Sequence, residues 1–499
     1  MFNSRIMKIL LSLLLLNMLS ILALADPIII GKDQAPINAH DYKILEKVAT
    51  NAQIPIEKIR HLKRSDHFIV GPEGFLYRDR KKNGVVDGKD SAEFISITAP
   101  NSYLTDKEGY LVAIRIKMTG LNDVSILNDF KKIVAIQLSD NNISNINIED
   151  LPELLFLSIF ERNNLRTLTK IKNVNKLSYF YVAGLNTPNF KKFTGVKGLR
   201  KIDISGMGIE SFDGLENMPN LKEAEISSNG EKTSKNFKSL SGIPKGHKLE
   251  KLKLSTSVTT DIKGIANFSH LKKLELWTGK RDLTDFTPLS KLKKLEELEM
   301  TVSGISDFSF LSNMPKLKQI VTYHAPITSL KGLDAAPNLE VLEINKGKLE
   351  NIEHLDDNNQ LKTLILNDHN ITKISGLEKL KKLNVLDLTF NKISKIEGLD
   401  KNLCLEKFWV AGNPVNTFEN LEHLPLLGEV GVDQTKISEF PNWKKLSRLH
   451  RLRIDIDQLN KEEFTPGYFY SYIPIKDFDL QMRQAKPVTD EERKQRGCI

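Results

Sequence analysis

The chain has almost no cysteine: Cys404 and Cys498 are the only two in 499 residues. So few exclude a disulfide-stapled scaffold, and Cys404, in Asn402-Leu403-Cys404-Leu405, reads as a small apolar side chain. No cysteine before position 404 can carry a lipid just behind an export signal, and Cys498, second from the end, does not fit the prenylation pattern. Long apolar runs are scarce too. The single run, from Ile9 to Leu24, is interrupted by Asn17 and is shorter than the ~20 residues a spanning helix needs. Arg5 and Lys8 precede it, and Ala23-Leu24-Ala25 stands before Asp26 and Pro27, which reads as a secretory signal cleaved after Ala25. The mature chain is then expected to be secreted or periplasmic, with no stable membrane insertion.

Catalytic signatures are missing as well. The ten histidines show no metal-ligand spacing and no serine or cysteine partner motif, so neither an enzyme nor a cofactor is expected. One-sided charge is also missing. The 72 Lys and Arg against 63 Asp and Glu give +9, or +7 without residues 1–25, scattered apart from a denser run at Arg493, Lys494 and Arg496. A nucleic-acid binder concentrates its positive charge on one face or stripe, so nucleic acid is not an expected partner.

What the chain has instead is a period. Three successive 22-residue segments open at Leu361, Leu383 and Leu405; Leu364, Leu386 and Phe408 follow three residues later, and Leu366, Leu388 and Val410 two after that. The same opening recurs sixteen times between Leu111 and Leu449. Such a pattern predicts one short strand per unit, with the first, fourth and sixth residues pointing inward, then a return segment with its own apolar slots. Ile371, Ile393, Val415 and Ile437 fill the first return slot; Ile374, Ile396, Phe418 and Phe440 the second; Leu377, Leu399, Leu421 and Trp443 the third. No unit could bury its apolar face alone, but stacked units share continuous columns. The predicted organisation is a cap region over 26–110, an array of about sixteen repeats over 111–460, and a C-terminal cap with a charged tail over 461–499. Extra residues such as 230–237 are expected to loop out.

In the cap region Asp41 is expected to cap a helix carrying Ile44, Leu45 and Val48, and Pro55 to open a second one with Ile59 and Leu62. The segment 79–90 resembles a degraded calcium loop of the EF-hand or dockerin type, with Asp79, Asn83, Asp87 and Asp90 at ligand positions. Lys81 occupies a ligand position and the closing Glu is absent, so an Asn-Gly and Asp-Gly turn region is the preferred reading. At the other end, the aromatic cluster 468–473 is expected to cap the last repeat and the tail beyond it to fray.

The pattern LxxLxLxxNxI, with returns such as ISKIEGLDK, resembles the 22-residue leucine-rich repeats of bacterial internalins and of phosphatase-regulatory leucine-rich-repeat subunits. The resemblance implies an α/β-type solenoid: a curved horseshoe with a parallel β-sheet on its concave side. The export signal and the region before the repeats fit the internalin-like side better. An intracellular phosphatase-regulatory scaffold is the alternative, and a carbohydrate-binding module the third reading. In such repeats the ninth slot holds an Asn that bonds neighbouring turns; here it is Asn at 141, 229, 391 and 413, Ser or Thr at 257, 303 and 435, and Met207, Ala325 and Gly347 elsewhere. A patchy ladder is expected, with His369 serving the turn at its own ninth slot.

The fifth and seventh slots of each strand face solvent and form the expected binding surface, an arc of roughly 75 Å for sixteen strands. Phe160, Tyr181, Trp277, Tyr323 and Trp409 fall there and are the expected anchors for a protein partner on a monomeric array. The competing reading is that they pack on neighbouring strands and bind nothing. Lys253, Glu275 and Glu299 alternate in charge along the same face and read as solvated surface.

Overall fold

The computed structural model describes residues 28–30, 35–62, 66–70, 76–78, 101–453 with short gaps, and 488–499. The gaps are 161–162, 164, 166, 207, 229–238, 257–258, 279–282, 303, 417–420 and 438–445. The export signal, the calcium-loop candidates Asp79, Asn83, Asp87 and Asp90, the looped-out 230–237, Trp443 and the aromatic cluster 468–473 lie outside the described residues. The chain divides into two compact units, 1–233 and 234–499.

Unit 1 begins with β1 (Ile28–Ile30), α1 (Ala39–Asn51), β2 (Arg60–His61), β3 (Asp66–Val70), β4 (Leu76–Arg78) and β5 (Ser102–Thr105). Its repeats follow with β6 (Leu111–Lys117), β7 (Ala135–Ser139), β8 (Asn145–Glu149), β9 (Phe156–Phe160) and β10 (Thr167–Lys172). They continue through β11 (Tyr179–Ala183), β12 (Phe193–Thr194), β13 (Lys201–Ser205) and β14 (Glu223–Ser228). Strands β6, β7, β9, β11, β13 and β14 form the parallel sheet, while β8, β10 and β12 form a second parallel ribbon on the return side.

The cap departs from expectation in two places. Asn38, not Asp41, caps α1: its Oδ1 accepts from the Asp41 N–H at 2.9 Å. Asp41 is buried in the first turn and accepts from the Leu111 N–H at 2.7 Å, which ties the helix to the first repeat strand. Burial holds that carboxyl above the usual range. After Pro55 there is one 3-10 turn, Ile56–Lys58, rather than a helix, because the chain turns at once into β2. Strand β2 pairs with β5, and β5 lies antiparallel on β6, so the open edge of the first repeat strand is covered.

Unit 2 carries β15 (Lys251–Thr256), β16 (Lys273–Thr278), β17 (Glu297–Thr301), β18 (Gln319–Tyr323) and β19 (Val341–Asn345). The sheet runs on through β20 (Thr363–Asn367), β21 (Val385–Asp387), β22 (Lys407–Trp409), β23 (Glu429–Gly431) and β24 (Arg451–Arg453), each strand parallel to the next. Register follows the repeat: Leu252, Leu274, Leu298, Ile320, Leu342 and Leu364 are partners in sequence along one buried column. Return segments use 3-10 turns such as Lys263–Asn267 and Thr287–Lys291 instead of α-helix. Twenty-two residues per unit leave too little chain for a longer helical return. Among the described residues no helix is long and apolar enough to cross a membrane.

Polar ladders hold the turns together. Asn391 accepts from Ile371 N–H at 3.0 Å and donates to Leu366 and Leu388 carbonyls; Asn413 repeats this one turn on. His369 substitutes for Asn: Nδ1 accepts from Leu349 N–H at 3.1 Å, and Nε2 donates to the Ile344 carbonyl at 3.0 Å. Its ring occupies the space a side chain at Gly347 would need, since a Cβ there would lie 2.3 Å from Cε1. The gap at Gly347 is thus filled from the neighbouring turn. A second ladder was not anticipated: buried Asn358 donates to Leu333 and Ala336 carbonyls, and buried Asn402 to Leu377 and Leu380.

The C-terminus overturns two expectations. Cys404 and Cys498 form a disulfide across 94 residues, so Cys404 is not merely a small apolar filler. Residues 488–499 do not fray: α2 (Asp490–Gln495) is fixed by a capping box between Thr489 and Glu492. Arg493 forks onto Glu406 at 2.7 and 3.0 Å, and Arg448 pairs with Glu492. Cys404, Leu426, Cys498 and Val488 pack together beneath it. Cys404, Glu406 and Arg448 belong to three successive repeats, so the C-terminal segment bridges all three along the edge where their strands begin.

Candidate binding surface on the parallel sheet

Along strands such as β13, β17 and β19 burial alternates, leaving the third, fifth and seventh slots on the outer side. Every predicted anchor stands there, but the structure brings only some of them together. In unit 1, Phe160 and Tyr181 meet edge to face with ring centroids 5.9 Å apart. Beside them is a pair missed from sequence, Phe156 and Tyr179, stacked at 5.3 Å in the third-slot column. Lys201 sits 5.8 Å over the Tyr179 ring, and Phe156 joins Leu104, Val112, Ala113 and Leu155 in a small apolar cluster. Phe156 and Tyr179 thus pack into that part of the face. Counting the third slot as solvent-facing would have revealed the pair.

In unit 2, Trp277 on β16 is 40 % exposed, the most open of the five anchors, and the Lys253 ammonium lies 5.6 Å from its ring. Tyr323 stands in the same seventh-slot column two strands on, with Thr301 between them. Burial, then the carboxylates of Glu343 and Glu299, raise the ionisation of its phenol above the ordinary value. Trp409 is elsewhere, in the fifth slot of β22, six strands from Trp277 or about 29 Å at the usual strand spacing. Its indole lies across Gly431, its register partner, where an added Cβ would sit 2.5 Å from Cδ1. Trp409 therefore partly follows the packing reading. Phe390, 52 % exposed, leans over Gly412 in the same manner.

The charges are more ordered than a solvated ladder. Lys273 contacts Glu297 at 3.1 Å and Glu275 at 3.2 Å, and Lys253 reaches Glu275 at 3.9 Å. Burial would lower the Lys273 ionisation, but its bonds to the two carboxylates prevail and raise it. Glu299, next in the column, is different. Burial first, and then the neighbouring Glu275 charge, push its carboxyl above the usual range. Among the described residues no group of three or more side chains is disposed to hold a metal ion.

Residues 359–401 match the family model for two copies of leucine-rich repeats, and residues 136–229 match the model of the leucine-rich-repeat domain of the endo-β-N-acetylglucosaminidase EndoS. No curated protein matches the chain. Among solved structures, a leucine-rich-repeat protein of Leptospira interrogans is similar at 16 % identity and TM-score 0.50, covering 75 % of this chain and 90 % of that one. Drosophila Toll, solved in complex with Spatzle, is similar at 14 % identity and TM-score 0.51, over 70 % of this chain and 49 % of that one. An internalin of Listeria monocytogenes is similar at 18 % identity and TM-score 0.45, over 68 % of this chain and 86 % of that one. The shared feature is the fold, a parallel-strand leucine-rich-repeat solenoid.

Proposed function

We propose that this leucine-rich-repeat chain is an exported recognition protein that grips a protein partner with the solvent-facing side of its parallel sheet, as an internalin-like host- or envelope-interaction factor. Trp277 carries the reading: a large aromatic on a rigid strand, open to solvent and flanked by a cation, is the kind of anchor that dominates protein interfaces. The fold lends support, since its relative Toll was solved holding the protein Spatzle. Export is supported by the basic start, apolar run and Ala23-Leu24-Ala25 site, and by the Cys404–Cys498 pairing, which is at home in an oxidising compartment. That pairing also weighs against the intracellular scaffold.

Affinity capture with mature protein and a Trp277→Ala, Trp409→Ala variant tests the recognition claim. A partner held by wild type and lost on the folded variant supports it, with a loss on the order of 1–4 kcal/mol if Trp277 is a hot spot. Equal retention by both would move recognition off these aromatics. Fusion of residues 1–30 to a reporter tests export.

A further inference from the structure

The middle of the unit 2 face has the opposite sign to the molecule, although Lys251 and Lys253 precede it on β15 and Lys407, Arg451 and Arg453 follow it on β22 and β24. From β16 to β21 the third and fifth slots carry Glu275, Glu297, Glu299, Glu343 and Asp387 against one cation, Lys273, in a chain of formal charge +9. Three of these acids are occupied within the sheet. Glu275 and Glu297 share Lys273, and Asp387 accepts from the Thr389 N–H and from Asn367 Nδ2. Glu299 and Glu343 have no cation within 4 Å among the described residues, although Glu343 accepts from Asn345 Nδ2 at 2.7 Å.

These two carboxylates flank Val321 on the intervening strand, in strict register: Glu299 pairs with Val321 and Val321 with Glu343. Val321 is buried and makes an apolar floor; Tyr323, two residues along β18, stands beside it, and Trp277 rises farther along Tyr323's column. An apolar floor, two negative flanks and aromatic faces match the parts of an arginine side chain. The methylenes lie on Val321, the planar guanidinium bridges the carboxylates, and its face can stack on an aromatic. Strands β17 and β19 run about 10 Å apart with β18 between them, so the two glutamate side chains have room to lean in on one such group from either side.

We propose that the Glu299–Val321–Glu343 stretch, with Tyr323 and Trp277, receives an arginine side chain from a cationic segment of the protein partner. The assignment rests on the recognition reading above and names the partner's chemistry. It explains why a net basic protein would turn an acidic strip outward: long-range repulsion rejects cationic segments generally, while the strip accepts one locally.

The test uses fluorescently labelled hexa-arginine and hexa-glutamate peptides, titrated at low ionic strength into mature wild type, Glu299→Gln/Glu343→Gln, Tyr323→Ala, and a control Glu350→Gln/Glu353→Gln that removes two acids from a return loop. Circular dichroism confirms that each variant is folded. Expected is salt-sensitive hexa-arginine binding, weakened on the order of tenfold by the Glu299/Glu343 pair and less by Tyr323→Ala, with the control unchanged. Absence of hexa-arginine binding by wild type, equal loss in the control, or preference for hexa-glutamate would overturn it. Partner capture with the tryptophan variants is a separate readout, so recognition and the arginine site can fail independently.

Discussion

Breaking the Cys404–Cys498 bond should loosen one end of the molecule and leave the rest alone. The bond closes a loop of 94 residues. Loop-closure entropy for a loop of that size is worth about 4–5 kcal/mol in the chain-entropy account. That figure is an upper bound on the loss, because residual structure in the unfolded chain lowers it; the ties left on α2 are the Arg493–Glu406 and Arg448–Glu492 pairs and the capping box. Exposed pairs of this kind hold about 0–1 kcal/mol each, too little to keep a six-residue helix docked once the covalent tie is gone. In a solenoid each turn contacts only its neighbours, so the loss should be confined to β22–β24 and α2. Hydrogen exchange on Cys498→Ser against wild type reads this directly. Amides of residues 488–499 should exchange freely, those of β22–β24 several-fold faster, and those of β16–β19 unchanged. Retained protection in α2, or uniform acceleration along the whole sheet, would refute the latch. Thiol titration of the native protein should find no free sulfhydryl.

Other expectations can be checked in the same preparations. His369 is held below the ordinary histidine value by burial, so folding favours its neutral form. Its stabilising contribution is present above pH ~6.5 and is lost as pH falls below that, and His369→Asn should flatten the acid-side drop in thermal midpoint. Gly431→Val should drive Trp409 off its bed at a cost of about 1–3 kcal/mol and alter its emission, measured by denaturant titration and tryptophan fluorescence. Leu386→Ala, at a fully buried column position, should cost about 2–5 kcal/mol, whereas Trp277→Ala should leave stability within ~0.5 kcal/mol.

The strands were legible because each is written the same way: inward leucines at fixed slots make both register and burial a matter of counting. Features that break the period were harder. Asn38 rather than Asp41 caps α1 because Leu111, seventy residues on, claims the Asp41 carboxylate, and no local pattern reveals that. The disulfide joins a cysteine inside a repeat to one beyond the array, so only the docking of α2 brings them together. Gly347 looked like a hole in the ladder because the group that fills it, His369, belongs to the next turn. The second ladder was visible in principle, since Asn358 and Asn402 share the twentieth slot, but a polar residue there looks like any turn residue until it is seen to be buried. On the outer face, single aromatics were legible and their company was not. The acids around Val321 become neighbours only when strands are laid in register.

Two glutamates on that face show how one sheet can be finished at one end and open in the middle. Glu429, on β23, faces Lys407 at 3.0 Å and Arg451 at 3.2 Å. Burial alone would raise its carboxyl, yet the two cations outweigh it and hold the group below the usual range. Glu299, six strands earlier by register, is raised by burial and by a like charge, with Lys273 and Lys253 too engaged or too distant to offset them. The same residue type on the same kind of strand therefore stands in opposite electrostatic states. Near α2 and the disulfide the face neutralises itself, as suits an end held closed; around Val321 it keeps negative charge that its own cations do not cancel. A cation brought by another molecule would relieve Glu299 as Lys407 and Arg451 relieve Glu429, and the pH at which Glu299 titrates should fall when that cation binds. Carboxyl-resolved NMR titration with and without hexa-arginine measures that shift, and an unmoved Glu299 would mean the strip is merely surface.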